Sequence, residues 1–197
     1  MKDIRICYVG DSFVNGTGDP EKLGWAGRLS RYAEKEGVEI THYNLGVRRE
    51  TSHDIAQRWV SECQARLPEG CNKRVVFSFG VNDAVAENGY PRVPVDVSVA
   101  NAKAILKEAK QYYPVVMVGP PPIDDESLNE RIRELDERYA RLCVELSVSY
   151  LSIFDRLQDD EVWKKEVSGN DGAHPRAEGY ALLAEYIRSW EGWWFKS

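Results

Sequence analysis

The sequence predicts a three-layer α/β/α sandwich built on a five-stranded parallel sheet. Short apolar runs rich in β-branched and aromatic residues alternate along the chain with longer segments of helical periodicity. This alternation is typical of parallel strands joined by right-handed helical crossovers. A chain of 197 residues with 43% hydrophobic residues suffices for one well-buried core and is short for two. We therefore expect a single domain over residues 1–197.

Five segments have the composition of buried strands, and the segments between them are predicted helices. The predicted strands cover residues 4–9, 38–45, 74–79, 115–118 and 148–154. Helices are expected over residues 25–36, 52–67, 97–112 and 175–190. The clearest helical stripe has apolar residues at steps of four and three, namely Leu128, Ile132, Leu135, Tyr139 and Leu142.

Charge and cysteine usage narrow the range of partners. The formal charge of -6 is spread in mixed-sign clusters without a basic stripe, which argues against a nucleic-acid partner. The first residues lack the pattern of a signal peptide, and no apolar run is long enough to span a bilayer. These features predict a cytoplasmic protein without integral membrane contact. The four cysteines show no C-x-x-C pairing and are interpreted as structural thiols, although Cys63 and Cys71 could pair in an oxidising compartment.

Two polar turns follow predicted strands directly. Gly10 and Asp11 place Ser12 after the first strand, and Gly80 begins a Gly-Val-Asn-Asp turn that places Asn82 after the third. The carboxyl ends of parallel strands meet at one edge of a sheet, so both side chains are expected at the same rim. Alone, each motif is also ordinary turn chemistry.

The third candidate is the pair formed by Asp171 and His174. This spacing can place the carboxylate on one ring nitrogen of the histidine and leave the other for a hydroxyl. A helix-cap aspartate beside a surface histidine, or two ligands of a metal site, are the alternatives. No further His or Cys stands nearby at ligand spacing, so no metal is expected. His42 and His53 lack an acid placed to orient them and are interpreted as structural.

Together, these motifs make the chain resemble the GDSL/SGNH hydrolase family over essentially its whole length. The resemblance rests on Ser12 in GDSF, Asn82 in GVND, and Asp171 with His174 in DGAHP. It implies a flavodoxin-like sandwich in which Ser12 is the nucleophile and His174, oriented by Asp171, is its base, with no cofactor. The G-x-S-x-G elbow of α/β-hydrolases is absent. Phe13 replaces the leucine of the family motif.

The family's second block resembles the segment from Asn44 to Thr51, where a glycine usually supplies a backbone donor to the oxyanion hole. Counting from Asn44 places Arg49 in that position, with Gly46 as the alternative, and Thr51 favours the Arg49 register. The resemblance then implies an oxyanion hole made by the amides of Ser12 and Arg49 and the side chain of Asn82. The Arg49 side chain either lines the pocket or points to solvent.

The predicted activity is hydrolysis of a small or short-acyl carboxylic ester through an acyl-Ser12 intermediate. The same residues would also serve an acyltransferase or a thioesterase, and a non-catalytic site for an anion or small ligand is a further alternative. Phe13, Asp83 and Pro121 are expected to shape the substrate pocket. The aromatic segment that ends the chain is expected to dock on the body or to form a homo-oligomer contact; it comprises Trp190, Trp193, Trp194 and Phe195.

Overall fold

The fold is described from a computed structural model, which covers residues 3–195; residues 1, 2, 196 and 197 lie outside this range. The strands in chain order are β1 (Ile4–Gly10), β2 (Ile40–Gly46), β3 (Asn72–Ser78), β4 (Ala86–Glu87), β5 (Tyr90–Pro91), β6 (Val115–Val118) and β7 (Ser149–Leu151). The helices are α1 (Ser12–Asn15), α2 (Gly24–Lys35), α3 (Ser52–Arg66), α4 (Val81–Ala84), α5 (Val95–Ala109), α6 (Glu126–Leu146), α7 (Phe154–Gln158), α8 (Glu161–Ser168) and α9 (Ala177–Ser189).

The main sheet has the strand order β2-β1-β3-β6-β7, and its paired neighbours are all parallel. This is the order of flavodoxin-like sheets, in which ligands bind beyond the carboxyl ends of the strands where the winding direction reverses. Gly10 pairs in register with Gly46 on one side and with Ser78 on the other. The loops that follow β1, β2 and β3 therefore leave the sheet at the same level, beside the reversal point.

Helices cover both faces of the sheet, which confirms the predicted three-layer sandwich. One face carries α2 packed against α9, with α8 beside α9, and the other carries α3, α5 and α6 packed in sequence. The side chains between the layers form one continuous apolar cluster that includes the central strands and three fully buried tryptophans, Trp25, Trp59 and Trp163. Among residues 3–195, no helix is both long and apolar enough to cross a membrane.

The short elements were not predicted. Helices α1, α4 and α7 have only four or five residues, so they cannot display a helical period, and the β4–β5 hairpin is equally short. The predicted fifth strand is too long: β7 ends at Leu151, and Phe154 already begins α7. A strand and a helix can bury an apolar residue equally well, so composition alone could not show where the strand ends and the helix begins. Two helices, α7 and α8, follow β7. The Asp171–His174 segment therefore comes after the end of α8 and does not directly follow a strand.

The C-terminal aromatic segment lies against the body of the protein. Trp193 is 4% exposed and belongs to the core cluster, while Trp194 and Phe195 pack against that cluster. The guanidinium carbon of Arg74 lies 5.5 Å from the centre of the Trp194 ring, within the range of a cation–π contact.

Candidate active site

Ser12 stands at the end of β1 because the backbone turns sharply there. A Cβ at Gly10 would lie 1.9 Å from the Ser78 carbonyl oxygen, so only glycine allows the two strand ends to approach this closely. Asp11 then caps α1, its carboxylate accepting the Phe13 N–H at 3.0 Å. Ser12 is the first residue of that helix and is 5% exposed.

A continuous hydrogen-bonded chain joins the serine, the histidine and the aspartate. The Ser12 Oγ lies 2.7 Å from His174 Nε2, and His174 Nδ1 lies 2.8 Å from Asp171 Oδ2. The other Asp171 oxygen accepts the backbone N–H groups of Ala173 and His174, at 3.0 and 2.8 Å. The Phe13 ring packs on the imidazole, with ring centres 4.8 Å apart. The imidazole is thus fixed from both its edge and its face.

The electrostatics of Asp171 suit its place beside the imidazole. Burial acts to raise the pKa of this carboxyl, but the hydrogen bonds from the His174 amide, the His174 ring and the Ala173 amide outweigh it and lower the pKa below its usual value. Asp171 therefore stays ionised near neutral pH, where its charge stabilises a protonated histidine.

Asn82 lies in α4, directly after β3, and faces Asp11 across the rim. Its Nδ2 donates to Asp11 Oδ2 at 3.3 Å, which leaves the second amide hydrogen for another acceptor. Burial raises the pKa of Asp11 to about 7, although the hydrogen bonds from Phe13 and Asn82 oppose the shift. Asp11, which sequence reasoning treated only as part of a turn, therefore orients the Asn82 amide beside Ser12.

Arg49 occupies the left-handed region of backbone space, with φ = 68°. Its carbonyl oxygen accepts a hydrogen bond from Arg92 Nη1 at 2.8 Å, and in the described part of the chain its own N–H donates to no acceptor. Its side chain is 81% exposed, and its guanidinium lies 3.7 Å from Glu87. Of the two expectations for this side chain, the structure shows the solvent-facing one.

The alternative donor, Gly46, has its amide engaged elsewhere. Its N–H donates to the Asn44 side-chain oxygen at 3.0 Å. A Cβ at Gly46 would lie 2.1 Å from the Asn15 amide nitrogen, so glycine is required here for close packing. Arg49 thus remains the candidate backbone donor of this block.

The three residues expected to shape a substrate pocket, Phe13, Asp83 and Pro121, are all buried. Phe13 supports the imidazole, and Pro121 lies beneath the surface of the loop after β6. Asp83 is fully buried because its carboxylate accepts the Ser52 N–H at 2.7 Å and the Ser98 hydroxyl, and burial raises its pKa. It thereby ties the start of α3 to α4. The apolar pattern around Ser98 gave no sign of this contact.

Together, these side chains can perform acyl transfer: a hydroxyl bonded to an imidazole, an imidazole bonded to a carboxylate, and amide donors at the same rim. No group of three or more His, Cys, Asp or Glu side chains converges as a metal site anywhere in residues 3–195.

Several solved structures share the fold of this chain. A lipase/acylhydrolase from Enterococcus faecalis is 23% identical, with a TM-score of 0.78 over 93% of each chain. A putative lipolytic protein of the G-D-S-L family from Desulfitobacterium hafniense is 22% identical, with a TM-score of 0.74 over 93% of this chain and 97% of that one. An acetylxylan esterase from Geobacillus stearothermophilus, solved as a catalytic mutant, is 14% identical, with a TM-score of 0.80 over 100% of this chain and 98% of that one.

A comparison with curated protein sequences finds no significant match. The model of the GDSL-like Lipase/Acylhydrolase family, by contrast, matches residues 8–182, a span that includes Ser12, Asn82, Asp171 and His174. The chain therefore belongs to the GDSL-like lipase/acylhydrolase family.

Proposed function

We propose that this protein hydrolyses small or short-acyl carboxylic esters through an acyl-Ser12 intermediate. The observation that carries the proposal is the unbroken hydrogen-bonded chain from Ser12 through His174 to Asp171. Membership of a family of lipases and acylhydrolases supports it, and so does the acetylxylan esterase activity named for one structural neighbour.

In the first half of the reaction, His174 Nε2 takes the proton of the Ser12 hydroxyl as Oγ attacks the ester carbonyl. The C–O bond to the leaving alcohol then breaks, and His174 returns the proton to that alcohol. In the second half, water gives a proton to His174 and attacks the acyl carbon. The acid is released, and Ser12 regains its hydrogen.

The negative charge that develops on the carbonyl oxygen requires donors at the rim. Three are available: the backbone N–H groups of Ser12 and Arg49, neither of which has an acceptor in the described part of the chain, and the free amide hydrogen of Asn82. Each such donor contributes roughly 3–4 kcal/mol to the transition state.

A cytoplasmic location forms part of the proposal. The thiols of Cys7, Cys63 and Cys143 are free and packed within the apolar core, and a reducing compartment keeps thiols in this state.

The test is a panel of p-nitrophenyl esters of increasing acyl length together with acetylated sugars. We expect the wild type to prefer the short acyl groups and Ser12→Ala and His174→Ala to lose turnover by a factor of at least about 10³. His53→Ala is the matched control, because His53 is exposed and bonded only to Gln57 among described side chains. Turnover by Ser12→Ala at the wild-type rate would contradict the proposal.

A further inference from the structure

An open groove of about 330 Å³ lies at the turn that follows the short helix of the nucleophile. It is lined by Asn15, Gly16, Thr17, Gly18, Lys22 and Arg48. Two of these lining residues are bonded to the backbone of Ser12: the N–H groups of Gly16 and Thr17 donate to the Ser12 main-chain carbonyl oxygen at 3.1 and 3.0 Å. The groove is therefore formed by the turn that follows Ser12 in the chain.

The groove also borders the histidine. A Cβ placed on Gly18, whose φ is 89°, would lie 3.3 Å from the Cβ of His174 and 2.7 Å from the Pro175 carbonyl oxygen. The lining thus contacts the backbone of Ser12 and lies next to His174.

The lining carries two positive charges and no acidic residue, in a chain whose net charge is -6. Neither Lys22 nor Arg48 forms an ion pair or a side-chain hydrogen bond with any residue between 3 and 195, and the Gly18 N–H donates to no acceptor there. The remaining polar side chains are partly satisfied by each other, with Thr17 Oγ1 donating to Asn15 Oδ1 at 3.2 Å. The groove therefore offers hydrogen-bond donors and positive charge without a competing carboxylate.

The loop that carries Lys22 is held in place by a buried carboxylate. Asp19 is fully buried and accepts the N–H groups of Leu23 and Gly24, at 3.1 and 2.8 Å. The Arg28 guanidinium pairs with the same carboxylate at 2.5 Å. Lys22 itself has φ = 59°, a left-handed conformation that lysine adopts only when its surroundings impose it. The backbone that presents this cation is therefore preorganised, which lowers the entropic cost of binding a ligand.

The opposite wall is anchored to the sheet. The Asn15 side-chain amide donates to the Gly46 carbonyl at 3.3 Å, at the end of β2 and two residues before Arg48. Arg48 is therefore the arginine that borders the groove, whereas the guanidinium of Arg49 is mostly in solvent beside Glu87.

We propose that this groove binds an anionic group, a carboxylate or a phosphate, on the alcohol portion of the ester substrate. The inference rests on the proposed function and specifies its substrate class. Lys22 and Arg48 would recognise the charge, and the ester carbonyl would lie at Ser12.

The test compares two acetyl esters that differ in one charge, 4-acetoxybenzoate and its neutral methyl ester. We expect the ratio of their kcat/KM values, anionic over neutral, to fall about threefold in Lys22→Gln or Arg48→Gln and about tenfold in the double variant. Raising the salt to about 0.5 M should reduce the wild-type ratio in the same direction. The control is Arg31→Gln/Lys35→Gln, which removes two exposed cations from α2 and should leave the ratio unchanged.

Three outcomes separate this proposal from the proposed function. Equal ratios in wild type and the Lys22/Arg48 double variant, with Ser12-dependent hydrolysis of both esters, would overturn the anionic site alone. An equal fall in the control variant would assign the effect to overall charge and also overturn the site. If neither ester is hydrolysed, binding of 4-acetoxybenzoate to Ser12→Ala protein is measured by NMR; loss of that binding in the Lys22/Arg48 background supports the groove, and unchanged binding contradicts it.

Discussion

Replacing Arg49 by glycine should stabilise the protein slightly and leave its activity intact. A left-handed conformation costs an L-residue roughly 1–2 kcal/mol, and Arg49 has φ = 68°. Glycine removes that strain but loses about 0.4–1 kcal/mol through the greater freedom of the unfolded chain. The ion pair with Glu87, 3.7 Å long and with side chains 81% and 54% exposed, contributes little. The net expectation is a gain of about 0.5 kcal/mol.

The measurement is urea unfolding of wild type, Arg49→Gly and Arg49→Ala. With an m-value of roughly 2 kcal/mol/M, Arg49→Gly should raise the midpoint by about 0.3 M. Arg49→Ala keeps the left-handed strain and loses the ion pair, so it should lie at or slightly below the wild-type midpoint. Both variants should retain kcat within about twofold, because the proposed donor is the backbone N–H. A midpoint for Arg49→Gly below that of Arg49→Ala would refute the assignment of strain, and loss of kcat in both would show that the side chain acts in turnover.

Two further predictions concern the asparagine and the aspartate that orients it. Asn82→Ala should lower kcat by roughly 10²–10³ with little change in KM, because the free amide hydrogen of Asn82 is needed only when negative charge develops on the carbonyl oxygen. Steady-state kinetics measure both constants. A change confined to KM would make Asn82 a residue that binds the ground state. Burial raises the pKa of Asp11 from 3.8 to about 7, so the folded state retains a proton that the unfolded chain releases. The free energy of unfolding should therefore fall as pH rises from about 4 to about 7, and Asp11→Asn, which keeps the helix cap, should flatten that slope in urea unfolding. An equal slope in both proteins would place the titration elsewhere.

The central elements of the fold could be predicted because their hydrophobic periodicity extends over enough residues to be recognised. The stripe from Leu128 to Leu142 predicted the long helix α6, and the strand segments after it and before it were found with shifts of a few residues. The loop that carries Ser12 could be located for a different reason. The backbone of Ser78 approaches so closely that only glycine fits at position 10, and this glycine is visible in the sequence as the start of a turn.

What could not be predicted depends on contacts between distant segments. Asp83 looked like a rim residue in the sequence, but its carboxylate is satisfied by Ser52 and Ser98, which lie 31 and 15 residues away. The position of Lys22 at the groove carried no signal either, because it depends on a loop folded around the buried Asp19. Local composition does not encode such pairings, since each polar residue is equally compatible with an exposed position.

Ser12 is the proposed covalent nucleophile, activated by His174. The direct measurement is mass spectrometry of the intact protein and its peptides after treatment with a fluorophosphonate, which forms a stable phosphonyl ester with an activated serine. We expect one adduct per chain, located on Ser12; it should be absent from Ser12→Ala and should form much more slowly in His174→Ala. Stoichiometric labelling of another residue, with Ser12 unmodified, would contradict it.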